Sequence, residues 1–157
     1  MEIKIEKVKI EEKEILFILL QFALYDGSNY YENNINNKGF FEYKWFDNYF
    51  TDDNRDAFFI KSNDNKLMGF IMINTHLQIL NEGHSIAEFL VLPSLRRHHI
   101  GKQAAFKVLN LYKGNWEIEP LENSNEAYCF WNKVVKEYTN NKYEYTNDIF
   151  IINNEEN

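Results

Sequence analysis

The apolar residues of the chain fall into short runs and alternating stretches that predict a succession of strands and helices. Alternation of apolar and charged positions over Met1–Ile10 predicts a first strand. Helical spacing then predicts helices over Glu11–Tyr25 and Phe40–Phe50, joined by an Asn-rich connection. The residues expected to form the buried face of the first helix are Ile15, Ile18, Leu19, Phe22 and Ala23.

The remainder of the chain predicts a hairpin, two strand–helix pairs and a second hairpin. We expect strands over Ala57–Lys61 and Lys66–Gln78, with Gly69 at a bulge or a close backbone approach. The later elements are predicted over Ser85–Leu92, Ile100–Tyr112, Trp116–Glu119, Asn125–Tyr138, Lys142–Tyr145 and Asp148–Ile152. The order β, α, α, β, β, β, α, β, α, β, β predicts one α/β or α+β domain over residues 1–152, with residues 153–157 as a frayed tail.

Composition limits the class of protein. With 157 residues, 45% of them hydrophobic and 17% aromatic, the chain can build a substantial core, which excludes intrinsic disorder. No apolar run is long enough to cross a membrane, and Met1–Ile10 lacks the apolar segment of a signal peptide. The single cysteine, Cys129, permits no internal disulfide and suits a reducing cytoplasm. A net charge of −7 argues against general affinity for nucleic acid. We therefore expect a cytoplasmic protein without a membrane or nucleic-acid partner.

A basic loop interrupts this acidic background between a buried strand and a helix. It contains two of the three arginines and most of the local positive charge, on Arg96, Arg97, His98, His99 and Lys102. Pro93 closes the preceding strand, and Ile100 opens the helix. The free N–H groups of a helix's first turn bind anions, and Gly101 lets backbone approach a ligand closely. The pattern predicts a site for a phosphate-bearing ligand in preference to a solvated basic loop.

The stretch Pro93–Lys102 resembles the pyrophosphate loop of the GNAT acetyltransferase superfamily, usually written Gln/Arg-x-x-Gly-x-Gly/Ala. Arg96 matches the first position and Gly101 the last, whereas His99 replaces the first glycine. If that position requires a positive φ, His99 is strained, although histidine tolerates the left-handed region better than most residues. Gly-Asn-Trp-Glu-Ile, Ala-x-x-Phe-Trp and Lys-Glu-Tyr-Thr, within Gly114–Thr139, are similar to a bacterial branch of predicted acetyltransferases. The N-terminal half matches in element order only.

The resemblance implies a single-domain GNAT-type acyl-CoA N-acyltransferase fold, with a central mixed, mostly antiparallel sheet flanked by about four helices. It implies that acetyl-CoA, as co-substrate, lies where two central strands splay apart, and that acetyl is transferred directly to a primary amine of a small molecule or peptide without a metal. The residues implied to hold coenzyme A are Phe89, Leu90, Val91, Arg96, Arg97, His98, His99, Ile100, Gly101, Lys102 and Asn123.

The resemblance also suggests catalytic residues. Glu88 is the candidate general base, because it lies on the central strand at the expected cleft, where burial would raise its pKa. A partnered structural carboxylate is equally compatible with this position, and His84 acting through water is an alternative base. Trp131 stands where the family usually has a tyrosine acid, and an indole cannot act as an acid near neutral pH. Tyr128, one turn earlier, is the candidate substitute.

Other interpretations stay open from sequence alone. A non-catalytic acyl-CoA-binding or regulatory module of the same fold is favoured by His99 and Trp131. A phosphate-binding domain for another nucleotide would need no cleft for pantetheine. The aromatic residues of Phe40–Phe50 either line an acceptor pocket or pack in the core. Many relatives dimerise through their last strands, so a homodimer is one option, and the acceptor amine is undetermined.

Overall fold

The computed structural model describes residues 1–155 and arranges them as one seven-stranded sheet with helices on both faces. The strands are β1 (Ile3–Lys7), β2 (Arg55–Ser62), β3 (Leu67–Asn74), β4 (His84–Val91), β5 (Asn115–Ile118), β6 (Glu144–Thr146) and β7 (Ile149–Asn153). The helices are α1 (Lys13–Gly27), α2 (Ile100–Leu109) and α3 (Asn125–Thr139). The strand order is β1-β2-β3-β4-β5-β7-β6, and every neighbouring pair is antiparallel except β4 and β5. The predicted mixed, mostly antiparallel sheet is confirmed. Within this part of the chain, no helix combines the length and apolarity of a membrane span.

Two hydrophobic clusters cover the two faces of the sheet. On the face that we call the α2–α3 face, both helices pack over central side chains such as Trp116 and Phe150. On the opposite face, the α1 face, α1 and the segment 28–54 pack over Phe59, Phe70 and Met72. The sheet therefore separates two environments, and a residue's face decides which of them it enters.

Helix α1 is apolar on nearly all sides, and the prediction of its buried face is correct for Leu19 but wrong for Ile15, Ile18 and Phe22. The buried side chains are Leu16, Leu19, Leu20 and Leu24. Of the residues expected to be buried, Ile15, Ile18 and Phe22 are 43%, 54% and 50% exposed. Both stripes have helical spacing, so periodicity cannot choose between them.

The predicted helix over Phe40–Phe50 does not form. Only Asp47–Phe50 makes a short 3-10 turn, and the residues before it run through turns and irregular structure. The side chain of Gln21 on α1 binds the backbone of Phe41 twice, accepting from its N–H at 2.7 Å and donating to its carbonyl at 2.9 Å. These bonds take the backbone groups that a helix would have used. The described residues thus contain three α-helices instead of about four.

The end of the described chain is ordered, contrary to the predicted frayed tail. Asn153 belongs to β7, and Asn154 is fully buried. The side chain of Asn154 donates to the carbonyl of Leu109 at 2.7 Å and accepts from the N–H of Gly114 at 2.8 Å. Residues 156 and 157 of the predicted tail lie outside the described residues.

The expected close approach at Gly69 is confirmed. A Cβ added there would lie 2.0 Å from the carbonyl oxygen of Leu90, so no larger residue fits. The final hairpin is confirmed as well, with positive φ at both Asn147 and Asp148 in its two-residue turn.

Candidate active site

A cleft of about 1050 Å³ opens where β4 and β5 separate. The two strands pair over three residues and stop pairing at Ile86 and Ile118. Beyond this point β4 continues to Val91. The segment that follows β5 leaves the sheet at Pro120, which has no N–H to extend the ladder. One edge of β4 is therefore open to the cleft.

A β-bulge in β4 determines which face of the sheet its neighbouring side chains occupy. Between Ile86 and Glu88, β4 carries one residue more than β3 opposite to it. The extra residue, Ala87, interrupts the alternation of side chains between the two faces. Ala87 packs with the α1-face cluster and Phe89 with the α2–α3-face cluster, while Glu88 lies among tyrosines of the α1 face. The bulge thus brings the Glu88 carboxyl into the cleft from the α1 side.

The carboxyl of Glu88 is in an unusual electrostatic environment. Burial raises the pKa of Glu88 to about 7, and a hydrogen bond from Tyr43 acts in the opposite direction. Burial also raises the pKa of Tyr31 and of Tyr43, and the negative charge of Glu88 adds to both effects. A carboxyl that titrates near neutral pH can exchange a proton with a substrate under ordinary conditions.

Hydroxyl and amide groups connect Glu88 to a polar chain on the α1 face. The hydroxyl of Tyr43 lies close enough to the Tyr49 hydroxyl and to the Glu88 carboxyl to shift the pKa of each. The amide nitrogen of Asn74 donates to the Tyr49 hydroxyl at 3.4 Å, and Ser85 Oγ donates to the Asn74 amide oxygen at 2.8 Å. This chain limits the positions that the Glu88 carboxyl can take.

Two left-handed residues shape the basic loop between β4 and α2. Arg97 has φ 68°, and His99, the N-cap of α2, has φ 59°. The Nε of Arg96 donates to the carbonyl of Val91 at 3.1 Å, which folds this side chain back onto the end of β4. His99 therefore has the positive φ that is expected to strain a residue other than glycine at this position.

Most of the residues predicted to hold coenzyme A line the cleft, namely Phe89, Leu90, Val91, Arg96, Arg97, His99, Gly101 and Lys102. Ile100 is buried in the core, and His98 is exposed outside the lining. Asn123 is also outside the lining, where its amide nitrogen donates to the carbonyl of Tyr30 at 3.1 Å. The Nζ of Lys102 lies 3.0 Å from Oε2 of Glu137 on α3, so this amine already has a carboxylate partner.

The geometry does not support two predicted proton-transfer residues. Tyr128 lies outside the cleft lining, and its ring packs against Tyr145 and Phe150 at centroid distances of 5.6 and 5.9 Å. His84 stacks on Tyr112 at 4.2 Å and does not line the cleft either. Each side chain faces away from Glu88. The position of Tyr128 on α3 sets its direction, and the bulge in β4 places His84 on the opposite face of the sheet from Glu88.

Trp131 lines the cleft and is 6% exposed. Its indole N–H makes no hydrogen bond within residues 1–155, where every fully buried side-chain nitrogen has a partner. The N–H is therefore reached from the cleft, where it can donate a hydrogen bond but not a proton.

Several residues of the cleft were not predicted from the sequence. Tyr31 comes from the turn after α1, Asn74 from the end of β3, and Lys133 from α3. Lys133 lies three residues after Phe130, another lining residue, so helical spacing was the one signal for a shared face. Among the aromatic residues of Phe40–Phe50, Phe41, Phe46 and Tyr49 are buried in the core. Tyr43, Trp45 and Tyr49 line a second cavity.

The comparison with protein families agrees with this architecture. The model of the Acetyltransferase (GNAT) family matches residues 22–133, more than half of the chain. The chain belongs to the GNAT acetyltransferase family. The match includes the open edge of β4, the basic loop and most of α3, so the resemblance inferred from the loop is confirmed. A comparison with curated proteins found no match.

Solved structures of GNAT proteins share the fold at low sequence identity. A GNAT-family acetyltransferase from Staphylococcus aureus aligns with 97% of this chain and 99% of its own at TM-score 0.61 and 15% identity. Spermidine N-acetyltransferase from Vibrio cholerae, in complex with CoA and spermine, aligns with 96% of this chain and 95% of its own at TM-score 0.62 and 9% identity. NAA60 from Arabidopsis thaliana, in complex with a bisubstrate analogue, gives the same coverages and TM-score at 11% identity. These similarities establish the fold.

Proposed function

We propose that this GNAT protein transfers an acetyl group from acetyl-CoA to a primary amine, with Glu88 as the general base. The observation that carries the proposal is the open edge of β4, which leads directly into the basic loop at the start of α2. Glu88 lies on the same stretch of strand and enters the same cleft. Together these features supply a place for an extended ligand arm, a place for phosphates and a titratable group.

The residues present fit coenzyme A. An extended pantetheine arm would bind along the open edge of β4, with Phe89 and Val91 offering backbone groups. The first-turn N–H groups of α2 suit the phosphates, and the terminal nitrogens of Arg96 are available because only its Nε is held by Val91. Lys133 adds a further positive charge to the lining. The bound co-substrate would supply the activated acyl group.

Glu88 would prepare the amine for reaction. A primary amine is mostly protonated near neutral pH, and it must lose that proton before its lone pair can attack a carbonyl. Glu88 can take the proton because its carboxyl titrates at about pH 7. Trp131 offers only a hydrogen bond to the leaving group, so we propose that solvent supplies the proton on sulfur.

The first test is a calorimetric titration of coenzyme A, acetyl-CoA and ATP into the wild-type protein, Arg97→Gln and Lys142→Gln. We expect roughly micromolar binding of both coenzyme forms, no binding of ATP, and about tenfold weaker binding in Arg97→Gln, since a charge-assisted hydrogen bond is lost. Lys142 is exposed and lies outside the cleft lining, so Lys142→Gln is the matched control. Absence of binding by both coenzyme forms would exclude the proposal, and equal binding of ATP would favour a site for another nucleotide.

The second test is release of free thiol from acetyl-CoA in the presence of a panel of amines. It is best done in a Cys129→Ser background, because Cys129 is an exposed free thiol that would react with the detection reagent. Amine-dependent release is expected. Tight coenzyme binding without release by any amine would instead favour the non-catalytic module.

A further inference from the structure

A second cavity, of about 450 Å³, adjoins the cleft on the α1 face. Asn74 and His76 line both spaces, so the two cavities lie side by side at this point. The other residues that line the second cavity are Tyr43, Lys44, Trp45, Tyr49 and Arg55. No carboxylate of the described chain is among them, although the protein as a whole has a net charge of −7.

Arg55 is the main feature of this cavity. Its side chain is 8% exposed, and its one contact with a carboxylate joins Nη1 to Oδ2 of Asp52 at 2.9 Å. Within residues 1–155 every fully buried side-chain nitrogen has a partner, so the guanidinium N–H groups that make no hydrogen bond must reach open space. The space that they adjoin is the second cavity. A buried guanidinium with free donors is suited to bidentate binding of a carboxylate.

Lys44 adds positive charge that no described carboxylate neutralises. Its amine lies 5.0 Å from the centre of the Trp45 ring, and the guanidinium of Arg55 lies 5.2 Å from the same ring. Asp52 forms an ion pair with Arg55 and with no other cation of residues 1–155. Lys44 makes no ion pair with any carboxylate of the same residues. The cavity therefore has a local excess of positive charge beside an aromatic ring.

The two tyrosines between the cavities connect this positive site to Glu88. Tyr43 lies close to both Glu88 and Tyr49, and Tyr49 is near enough for its pKa to respond to the charges of both Glu88 and Arg55. A negative group and a positive group thus both lie near this pair of hydroxyls. A molecule that carries both charges several bonds apart would be complementary to this arrangement.

We propose that the second cavity is an anion subsite that binds the carboxylate of the acceptor while the acceptor's amino group lies at Glu88. The inference rests on the proposed function and specifies its substrate class, a primary amine that carries a carboxylate several bonds away. An ω-amino acid and a peptide with an acidic side chain share this chemistry. A simple alkylamine lacks the anion, and a diamine places a second positive charge next to Lys44 and Arg55.

The test compares kcat/KM for acetylation of 5-aminovalerate, the dipeptide Gly-Asp, butylamine and putrescine in the Cys129→Ser background. We expect at least one carboxylate-bearing amine to exceed butylamine by about tenfold or more, with putrescine poorest. Lys44→Gln should reduce that preference several-fold, and Lys142→Gln should leave it unchanged. The ratio between the two carboxylate-bearing amines distinguishes a free amino acid from a peptide acceptor. Equal rates for all four amines, or preference for putrescine, would exclude the anion subsite while leaving the acetyltransferase proposal intact.

A binding measurement separates failure of this inference from failure of the proposed function. Trp45 is 48% exposed and lies at the subsite, whereas Trp116 and Trp131 are 0% and 6% exposed, so binding should change mainly the fluorescence of Trp45. We expect 5-aminovalerate and glutarate to change the emission without acetyl-CoA, and Trp45→Phe to abolish the signal. Lys44→Gln and Arg55→Met should weaken binding, with circular dichroism checking that Arg55→Met folds. Carboxylate binding without turnover would retain the subsite and exclude the reaction. Absence of carboxylate binding at millimolar concentration would exclude the subsite.

Discussion

The two sides of the cleft are constructed differently. The side proposed for coenzyme A comes largely from one continuous stretch, residues 89–102, and combines backbone groups of a strand edge, a loop and a helix start with the basic side chains of the loop. The side proposed for the acceptor is assembled from side chains far apart in sequence, such as Tyr31, Tyr43, Asn74 and Glu88. Backbone groups are present whatever side chain a position carries, whereas a side-chain site depends on particular residues. This difference explains how His99 can stand where the family pattern has glycine, with the local backbone still turned into the left-handed region.

The strongest way to separate the two sides is Glu88→Gln. We expect kcat with the best amine of the panel to fall by about 10²- to 10⁴-fold, because the general base is lost, while the Kd for coenzyme A stays unchanged. Steady-state kinetics and calorimetry on the same preparation measure both quantities. Glu122→Gln, which removes another carboxylate of the lining, is the control and should retain activity. An unchanged kcat in Glu88→Gln would show that Glu88 is a structural carboxylate.

The pH dependence sharpens the assignment of Glu88. Since burial raises its pKa to about 7, kcat/KM should rise about tenfold per pH unit below that value and level off above it. The hydrogen bond from Tyr43 lowers this pKa, so Tyr43→Phe should move the rising limb to higher pH. At pH 6 this shift should appear as a roughly three- to tenfold slower reaction, without a change in coenzyme affinity. If the rise of kcat/KM with pH occurs at the same pH in Tyr43→Phe as in the wild type, a group other than Glu88 titrates.

Stability gives an independent check on the same pKa. The folded protein keeps a proton on Glu88 between its ordinary pKa of 4.5 and about 7, where the unfolded chain has lost it. The free energy of unfolding should therefore fall as pH rises through this window, by about 2–3 kcal/mol once the partial exposure of the group is allowed for. Denaturant titrations of the wild type and Glu88→Gln should diverge over this range, with the variant losing less. Parallel curves would contradict a raised pKa at Glu88.

The smallest expected effect concerns stability and the basic loop on the side of the cleft proposed for coenzyme A. His99→Gly should increase the free energy of unfolding by about 0.5–1 kcal/mol, because a residue with φ 59° no longer carries a Cβ in the left-handed region. Chemical denaturation measures the change, and coenzyme affinity should alter by less than about threefold, since the loop keeps its shape. Asn140→Gly, at φ 53° after α3, is the matched control and should gain less, because asparagine tolerates this conformation well. A loss of stability in His99→Gly would show that the histidine side chain contributes contacts that outweigh the strain.

The predictions that failed share one origin. The buried stripe of α1 and the absent helix at Phe40–Phe50 each depend on which neighbour a segment meets. Leu16 and Ile18 are equally apolar, and only packing on the sheet selects the first. Phe41 is withdrawn from a helix by Gln21, a residue 20 positions away. Local spacing contains no information about such partners.

The sequence by itself determined the order of most elements, the mixed sheet, the basic loop at the start of α2 and the family to which the chain belongs. These features follow from periodicity, turn chemistry and a contiguous motif, all of which act over a few residues. Only the tertiary structure decided that a bulge at Ala87 turns Glu88 toward Tyr43, and that Arg55 and Lys44 form a positive cavity beside it. The physical reason is that pKa values and binding geometry arise from groups brought together across the sheet, and their distances are set by packing.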